Sequence, residues 1–485
     1  MKPLSIDYIA EGTEGKLLSR AEGGKYDFAD NVAIDSRDAA ENGLFFAIIG
    51  ARTDAHVYLN DVVSRGCHTV VVSDEDWAEK MVARGDVNTI LVDDTTKAIM
   101  RLARRYMDDW PELRRVAVTG SVGKTSTKEF VYSVLSSKFR TGKTPGNLNS
   151  EYGIPLTIFR LDPQTEMAVI EIGLGHGAPM EELVDMVKPE AAVVTTIGSA
   201  HMEVFGSREN LAKAKLAVTT GFKGNGGKLI VNADNPMLDP QWIRKNTEGN
   251  FKIVTIGTGI HWNYRISNIC DEGIDGVKCT LEFSDQNNLE KKQETLSIPV
   301  IGSHNLWNAS LAIALGAELG IDVHDGIEAV RNVELNANRL DVTRTAKYTV
   351  INDAYNASPE SMKGAIDIVN RSKGRGVAVL GDMYELGEKS ADLHQSVGRY
   401  AADSGLELLV TVGQLGEEIG KGAELQKKAG SGNSKTEVIC YKNREEAEKE
   451  LPSVLQKDDV VIVKASRTME LEHLAKHLAD CGNEG

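Results

Sequence analysis

The sequence predicts an α/β protein of three domains. These are a small α/β N-terminal domain, a central P-loop ATPase-like domain on a parallel sheet, and a C-terminal Rossmann-like α/β domain. Three observations predict this. The chain has 485 residues, too many for a single hydrophobic core. Short apolar, β-branched runs recur along it with helical patterns between them, as in parallel sheets covered on both faces. Finally, an apolar strand at Val116–Val118 runs through Thr119-Gly120-Ser121-Val122-Gly123 into Lys124-Thr125-Ser126 and a helical pattern up to Ser137. That is the strand–loop–helix context of a phosphate-binding loop.

Residues 1–110 form the first unit, with strand-like runs at Leu44–Ile49 and Thr69–Val72 and a helix ending near Trp110-Pro111, where proline stops it. Residues 111–333 form the second. After the glycine-rich loop its strands are expected at Ala168–Ile172, Ala191–Thr195 and Lys228–Val231, and Lys278–Phe283 alternates as an antiparallel insertion would. Asp285–Glu294 is polar enough to read as a solvated loop, and Cys270 and Cys279 could face each other across the hairpin, although free thiols are the expectation. Residues 334–485 form the third unit, with strands at Tyr348–Ile351, Gly376–Leu380, Leu408–Val412, Glu437–Cys440 and Val460–Val463.

A formal net charge of −16 excludes a nucleic-acid-binding protein with a broad basic face, while leaving room for a local basic pocket. Met1–Asp7 lacks the apolar core of a signal peptide, and no apolar run reaches the ~20 residues that cross a bilayer. The five cysteines are scattered without metal-ligand spacing, as in a reducing compartment. The expectation is a cytoplasmic protein with no membrane span.

The glycine-rich loop sets the chemistry. Backbone N–H groups of Gly120, Ser121, Val122 and Gly123 suit phosphate oxygens, Lys124 adds a point charge, the Thr125 hydroxyl suits magnesium, and Ser126 opens a helix whose N-terminal dipole favours anions. Val118 stands where the longer form of the loop has glycine. Glu171 lies in an apolar strand, where a carboxylate needs a cation. His201 follows the strand at Ala191, and Lys213 and Lys215 lie on an amphipathic helix, where residue type alone reads them as solvated. Asn305 and Asn308 share a helical face. Three further loops follow C-terminal strands, at Asn352–Pro359, Gly381–Gly387 and Lys464–Arg467, the edge where such sheets bind ligands. His473 and His477 lack a third ligand and are not read as a metal pair.

In this order, the motifs resemble the Mur ligase family, ATP-dependent amide-forming enzymes of peptidoglycan precursor synthesis, over nearly the whole chain. The resemblance is carried by the short loop form Gly120-x-x-Gly123-Lys124-Thr125, by Gly146–Pro155, His201-Met202-Glu203, Lys213-Ala214-Lys215, Asp353–Pro359 and Gly381–Gly387. These segments are most similar to the members that add D-alanyl-D-alanine. The resemblance implies that Lys124 and Thr125 serve ATP and a first magnesium with Glu171, that His201 serves a second magnesium, and that Lys215 is carbamylated. It further implies that Asn305 and Asn308 contact adenine, and that Arg339 and Asp353 complete the ATP site. Ser36 and Arg37, in Asp35-Ser36-Arg37, and Asn147 and Asn149 would bind substrate; Asp54-Ala55-His56 departs from the family at Ala55, where glycine is usual. The implied substrates are ATP, UDP-N-acetylmuramoyl-tripeptide and D-alanyl-D-alanine, acted on by a monomer. A family relative with another amino-acid acceptor, such as a folylpolyglutamate-type ligase, is the alternative within the enzyme class; a nucleotide-binding regulatory module is the alternative outside it.

Overall fold

The computed structural model describes all residues except 25, 51–52, 175–176, 199–201, 223–225, 285–289, 334–339, 431–434 and 484–485. His201 and Arg339 therefore lie outside the described residues.

The N-terminal unit is a five-stranded sheet in the order Lys16–Ser19, Asn88–Leu91, Thr69–Val72, Gly43–Phe46, Asn31–Ala33, parallel except for the first pairing. Thr69–Val72 is buried throughout, as a β-branched run covered on both faces should be. The helix Thr95–Asp108 starts at Asp94, whose carboxylate accepts from the Thr96 and Lys97 N–H groups. Its buried face (Ile99, Leu102, Tyr106) shares one core with Ile170, Phe159 and Leu183 of the central unit. Beyond it, the buried Arg115 guanidinium donates to the carbonyls of Met107 and Trp110, tying up the helix end before the next strand begins.

The central sheet has nine strands in the order Lys291–Ile298, Val277–Ser284, Tyr264–Asp271, Lys252–Gly257, Lys228–Asn232, Ala191–Val194, Arg114–Thr119, Met167–Glu171, Thr141–Lys143. Arg114–Thr119 sits between Ala191–Val194 and Met167–Glu171, and both pairings are parallel. The loops after all three strands thus leave from one edge, where α/β sheets bind ligands. Val118 lies within the strand and is fully buried, so the loop begins only after it.

The insertion extends this sheet instead of standing apart, with Tyr264–Asp271 joining it in parallel and two antiparallel strands following. Lys291–Glu294, expected in a loop, are strand residues paired from Ser284 to Leu281. Ladder hydrogen bonds run through the backbone, and only Leu296 and Ile298 of that strand are buried, so its start carries no apolar signal. Cys270 pairs opposite Lys278, not Cys279, and both cysteines are free.

The C-terminal sheet runs Asp341–Arg344, Thr349–Asn352, Val460–Lys464, Gly376–Leu380, Leu408–Val412, Glu437–Tyr441, parallel except for the first pair. The exposed edge strand Asp341–Arg344 was not foreseen. This unit docks on the turn of the hairpin. Arg371 Nη1 lies 2.7 Å from Asp271 Oδ2, and Gly273 (φ +64°) sits against Ser372, whose Oγ a Cβ there would approach to 2.4 Å. Only glycine fits both the conformation and the gap. Among the described residues, no helix is long and apolar enough to cross a membrane.

Candidate active site

The glycine-rich loop connects Arg114–Thr119 to the helix Lys124–Ser136. Gly120 (φ +145°) has no room for a side chain, since a Cβ would come within 2.0 Å of Thr195 Oγ1. Thr195 Oγ1 donates to the Val122 carbonyl at 2.6 Å, and the Ser121 N–H to the Thr196 carbonyl at 2.8 Å. The loop is therefore held open by the next strand's end, with Gly123 (φ +83°) capping the helix. Lys124 Nζ folds back over the carbonyls of Gly120 and Ser121, at 3.0 and 3.3 Å.

Two cavities meet at this loop. One, of about 510 Å³, is lined by Ser121–Thr125, Asn147, Asn149 and Glu171 and by Asp353, Tyr355, Tyr384 and Arg467 of the C-terminal unit. The other, of about 570 Å³, holds Val122, Gly123, Trp307, Asn308, Asn235 and Lys363. Asp353 and Lys464 line both. Lys464 Nζ lies 2.6 Å from Asp353 Oδ2 and donates to the Asn356 carbonyl at 2.9 Å. This pair fixes Asp353 at the wall facing the loop.

Glu171 ends its strand almost fully buried. Its Oε1 accepts from the Thr125 hydroxyl at 3.2 Å and from Asn149 Nδ2 at 2.7 Å, whereas its Oε2 accepts no hydrogen bond. A buried, orphaned carboxylate oxygen beside a threonine hydroxyl suits a hard cation. No group of three or more His, Cys, Asp or Glu ready to hold a metal occurs among the described residues. Magnesium beside nucleotides is held by one or two carboxylates and by phosphates, so the residues present fit it.

Lys215 corrects the solvated reading that residue type suggested. It is fully buried, its Nζ has no hydrogen-bond partner, and burial followed by the neighbouring Lys124 charge drives its pKa well below 10.5. Desolvation of this kind disfavours the ammonium form and favours the nucleophilic free amine.

The two asparagines divide. Asn308 lines the second cavity, with its Oδ1 3.0 Å from where a Gly123 Cβ would be. Asn305 lies behind it, fully buried, donating to the Ile301 carbonyl at 2.9 Å and accepting from Asn308 Nδ2 at 3.0 Å. Asn305 thus orients Asn308 and has no free face of its own. Ser36 and Arg37 line neither cavity; they lie in the turn Ser36–Asp38, where the Arg37 guanidinium holds the Asp35 carboxyl at about 2. His56 is buried with both nitrogens engaged, by Asp54 at 2.6 Å and the Ser73 N–H at 3.1 Å, which makes it a brace for that loop. His477 Nε2 lies 3.0 Å from the Glu448 carbonyl. In the sequence Thr195 has a place in the polar run after its strand but no role, and nothing marks Lys128 or Glu129. A lysine–glutamate pair in the first turns of a helix looks solvated, and only its position behind the loop shows otherwise.

Comparisons agree with this geometry. The Mur ligase middle domain matches residues 118–316, and the Mur ligase glutamate ligase domain matches residues 338–467. The chain is 34% identical to a UDP-N-acetylmuramoyl-tripeptide--D-alanyl-D-alanine ligase of Bacillus subtilis (strain 168), over 98% of each chain. Its structure is similar to that of MurF from Acinetobacter baumannii (TM-score 0.85, 26% identity, 99% of each chain). It is also similar to MurF ligase from Thermotoga maritima in complex with ADP (TM-score 0.76, 25% identity, 93% of this chain and 97% of that one). With this fold, this loop and these matches, the chain belongs to the Mur ligase family of ATP-dependent ligases.

Proposed function

We propose that the protein joins D-alanyl-D-alanine to the terminal carboxylate of UDP-N-acetylmuramoyl-tripeptide, with cleavage of ATP to ADP and phosphate. The observation that carries this reading is full-length likeness to ligases of that name, combined with a glycine-rich loop opening on a cavity shared with the C-terminal unit. A carboxylate is a poor electrophile. Transfer of the γ-phosphoryl group gives an acyl phosphate, the dipeptide amine attacks its carbonyl carbon, and phosphate leaves. Such transfer needs positioning and charge neutralisation above all. Gly120, Val122 and Gly123 would offer N–H groups, whereas the Ser121 N–H, expected to join them, is already given to the Thr196 carbonyl, and Lys124 would turn from the loop carbonyls to phosphate oxygens. Asn308, oriented by Asn305, faces the base in the second cavity, and Asp353 holds the C-terminal edge of the nucleotide. Magnesium, when bound, neutralises phosphate charge; Glu171 Oε2 and the Thr125 hydroxyl would hold one ion, while His201 and Arg339 keep their expected roles in a second metal site and the ATP site.

Lys215 is read as carbamylated. The uncharged form of its amine adds to carbon dioxide and releases one proton, which leaves a carbamate anion in the field of Lys124. Asn147 and Asn149 would meet the peptide end of the substrate, and Ser36 and Arg37 its uridine diphosphate end. We divide the chain at residues 1–110, 111–333 and 334–485. The sheet of the first unit ends at Leu91, the second runs from Arg114 to Ile298 and the third begins at Asp341. A monomeric, cytoplasmic enzyme fits the reading.

The test is ADP release in a substrate panel. Release that requires both UDP-muramoyl-tripeptide and D-alanyl-D-alanine supports the proposal. Release driven instead by glutamate with a folate, or by diaminopimelate with a dipeptide precursor, would replace it.

A further inference from the structure

The loop Gly381–Gly387, after the strand Gly376–Leu380, forms a lip of the first cavity to which the reaction as described gives no task. Tyr384, Glu385 and Leu386 line that cavity together with Ser121–Thr125 of the glycine-rich loop. Tyr384 and Glu385 are exposed, and Glu385 has a φ of +62°, a conformation that a residue other than glycine keeps only where its surroundings impose it. The sheet ladder does not impose it. Its last bond joins the Gly381 N–H to the Lys464 carbonyl at 2.9 Å, and the N–H groups beyond must find other partners.

Side chains from two other elements supply them. The Met383 N–H donates to Nε2 of His394 at 2.9 Å, and the Tyr384 N–H to Oγ of Ser466 at 3.0 Å. Ser466 gives its own N–H to the Asp382 carbonyl at 3.0 Å, and Asp382 Oδ1 accepts the Gly416 N–H at 2.7 Å. His394 lies on the helix Ser390–Asp403 and is fully buried. A carbonyl only accepts and a backbone N–H only donates. The Ser390 carbonyl, 2.7 Å from Nδ1, therefore receives the ring's N–H, and Nε2 keeps a bare lone pair for Met383. An imidazolium could not accept this bond. Burial pushes the His394 pKa below 6.5, against the Ser390 carbonyl and the carboxylates of Asp382 and Glu418, so the accepting form is favoured at neutral pH.

We propose that His394 is a positioning residue for the amine substrate: by accepting the Met383 N–H it sets the lip so that Tyr384 and Glu385 meet the dipeptide as it approaches the acyl phosphate. It acts through the lip and touches no substrate. A carboxylate and a phenol on the C-terminal wall suit an ammonium end and a peptide carbonyl. Asp353, the other C-terminal carboxylate lining this cavity among the described residues, is held by Lys464. The inference rests on the proposed use of D-alanyl-D-alanine.

Three variants test it: His394→Gln, His394→Asn and His394→Leu. Glutamine reaches about as far as Nε2 and offers a carbonyl to Met383; asparagine is too short, and leucine accepts nothing. KM and kcat are read for each substrate, ADP affinity by calorimetry, and the unfolding midpoint for each protein. The expected result is a rise in KM for D-alanyl-D-alanine of about tenfold or more in the asparagine and leucine variants, the scale of a buried N–H left without its acceptor. ADP affinity and KM for the UDP-linked substrate should stay unchanged, and glutamine should restore the wild-type KM for the dipeptide. A merely structural histidine would lower all affinities together with the unfolding midpoint. Wild-type KM for the dipeptide in His394→Asn, a glutamine variant no better than asparagine, or a parallel loss of ADP binding overturns the inference. If the leucine variant does not fold, the asparagine variant decides. A wild-type protein that releases no ADP in response to the dipeptide would instead overturn the proposed reaction, and this inference with it.

Discussion

Two buried lysines near the loop have opposite surroundings, and their chemistry differs accordingly. Lys128 is surrounded by acceptors, whereas Lys215 has none and burial pushes its pKa well down. For Lys215 the folded pKa lies below the unfolded one, so the unfolded chain binds the extra proton. Its contribution to stability therefore rises with pH from the depressed value up to about 10.5, and below that interval it is an unrelieved penalty. In buffer purged of carbon dioxide, Lys215→Met should raise the unfolding midpoint at neutral pH and flatten its rise towards alkaline pH. An unchanged pH slope would show that folding does not depress the pKa of this amine. Lys215→Ala should be nearly inactive and partly restored by acetate or formate; a fully active variant would end the carbamate reading. Lys124→Ala should lower turnover by at least about 100-fold, the scale for losing a charge-stabilising donor.

At the scale of elements, the loop depends on its neighbours. Gly120→Ala places a methyl group against the Thr195 side chain and breaks the brace from Thr195 to Val122. The variant should lose ADP binding, measured by calorimetry, while the circular dichroism of the whole chain stays that of wild type. Retained affinity would mean that the loop has another route to its open shape. The loop itself was legible from Gly120, Gly123, Lys124 and Thr125, because a strand–glycine–helix sequence leaves few alternatives. The parallel strands were legible too, since their apolar runs are covered on both faces; Gly376–Leu380 and Leu408–Val412 appear where the pattern put them. Edge strands were not. Asp341–Arg344 and the start of Lys291–Ile298 are polar and exposed, so only their ladder partners define them. Burial of Lys128 and Lys215 was equally invisible to residue type, which takes lysine as solvated.

In the whole molecule, the site exists only where the central and C-terminal units meet. Asp353, Tyr384 and Arg467, from the C-terminal sheet edge, line the cavity on which the loop opens, and Arg371 with Asp271 holds that unit to the hairpin turn. Asp271 is almost fully buried in this pair, so Asp271→Asn should loosen the contact. The expected outcome is a larger radius of gyration by small-angle X-ray scattering and a raised KM for ATP, with the N-terminal unit unaffected. Equal scattering curves for variant and wild type would show that the pair does not set the arrangement. Closure of this cleft would shield an acyl phosphate from water.

The central claim is that the γ-phosphoryl group goes to the peptide carboxylate before the amide forms. Tripeptide substrate labelled with heavy oxygen in its terminal carboxylate, incubated with ATP, magnesium and D-alanyl-D-alanine, tests it directly by mass spectrometry of the products. The account predicts one labelled oxygen in the released inorganic phosphate and one retained in the new pentapeptide. Unlabelled phosphate, or AMP in place of ADP, would contradict it.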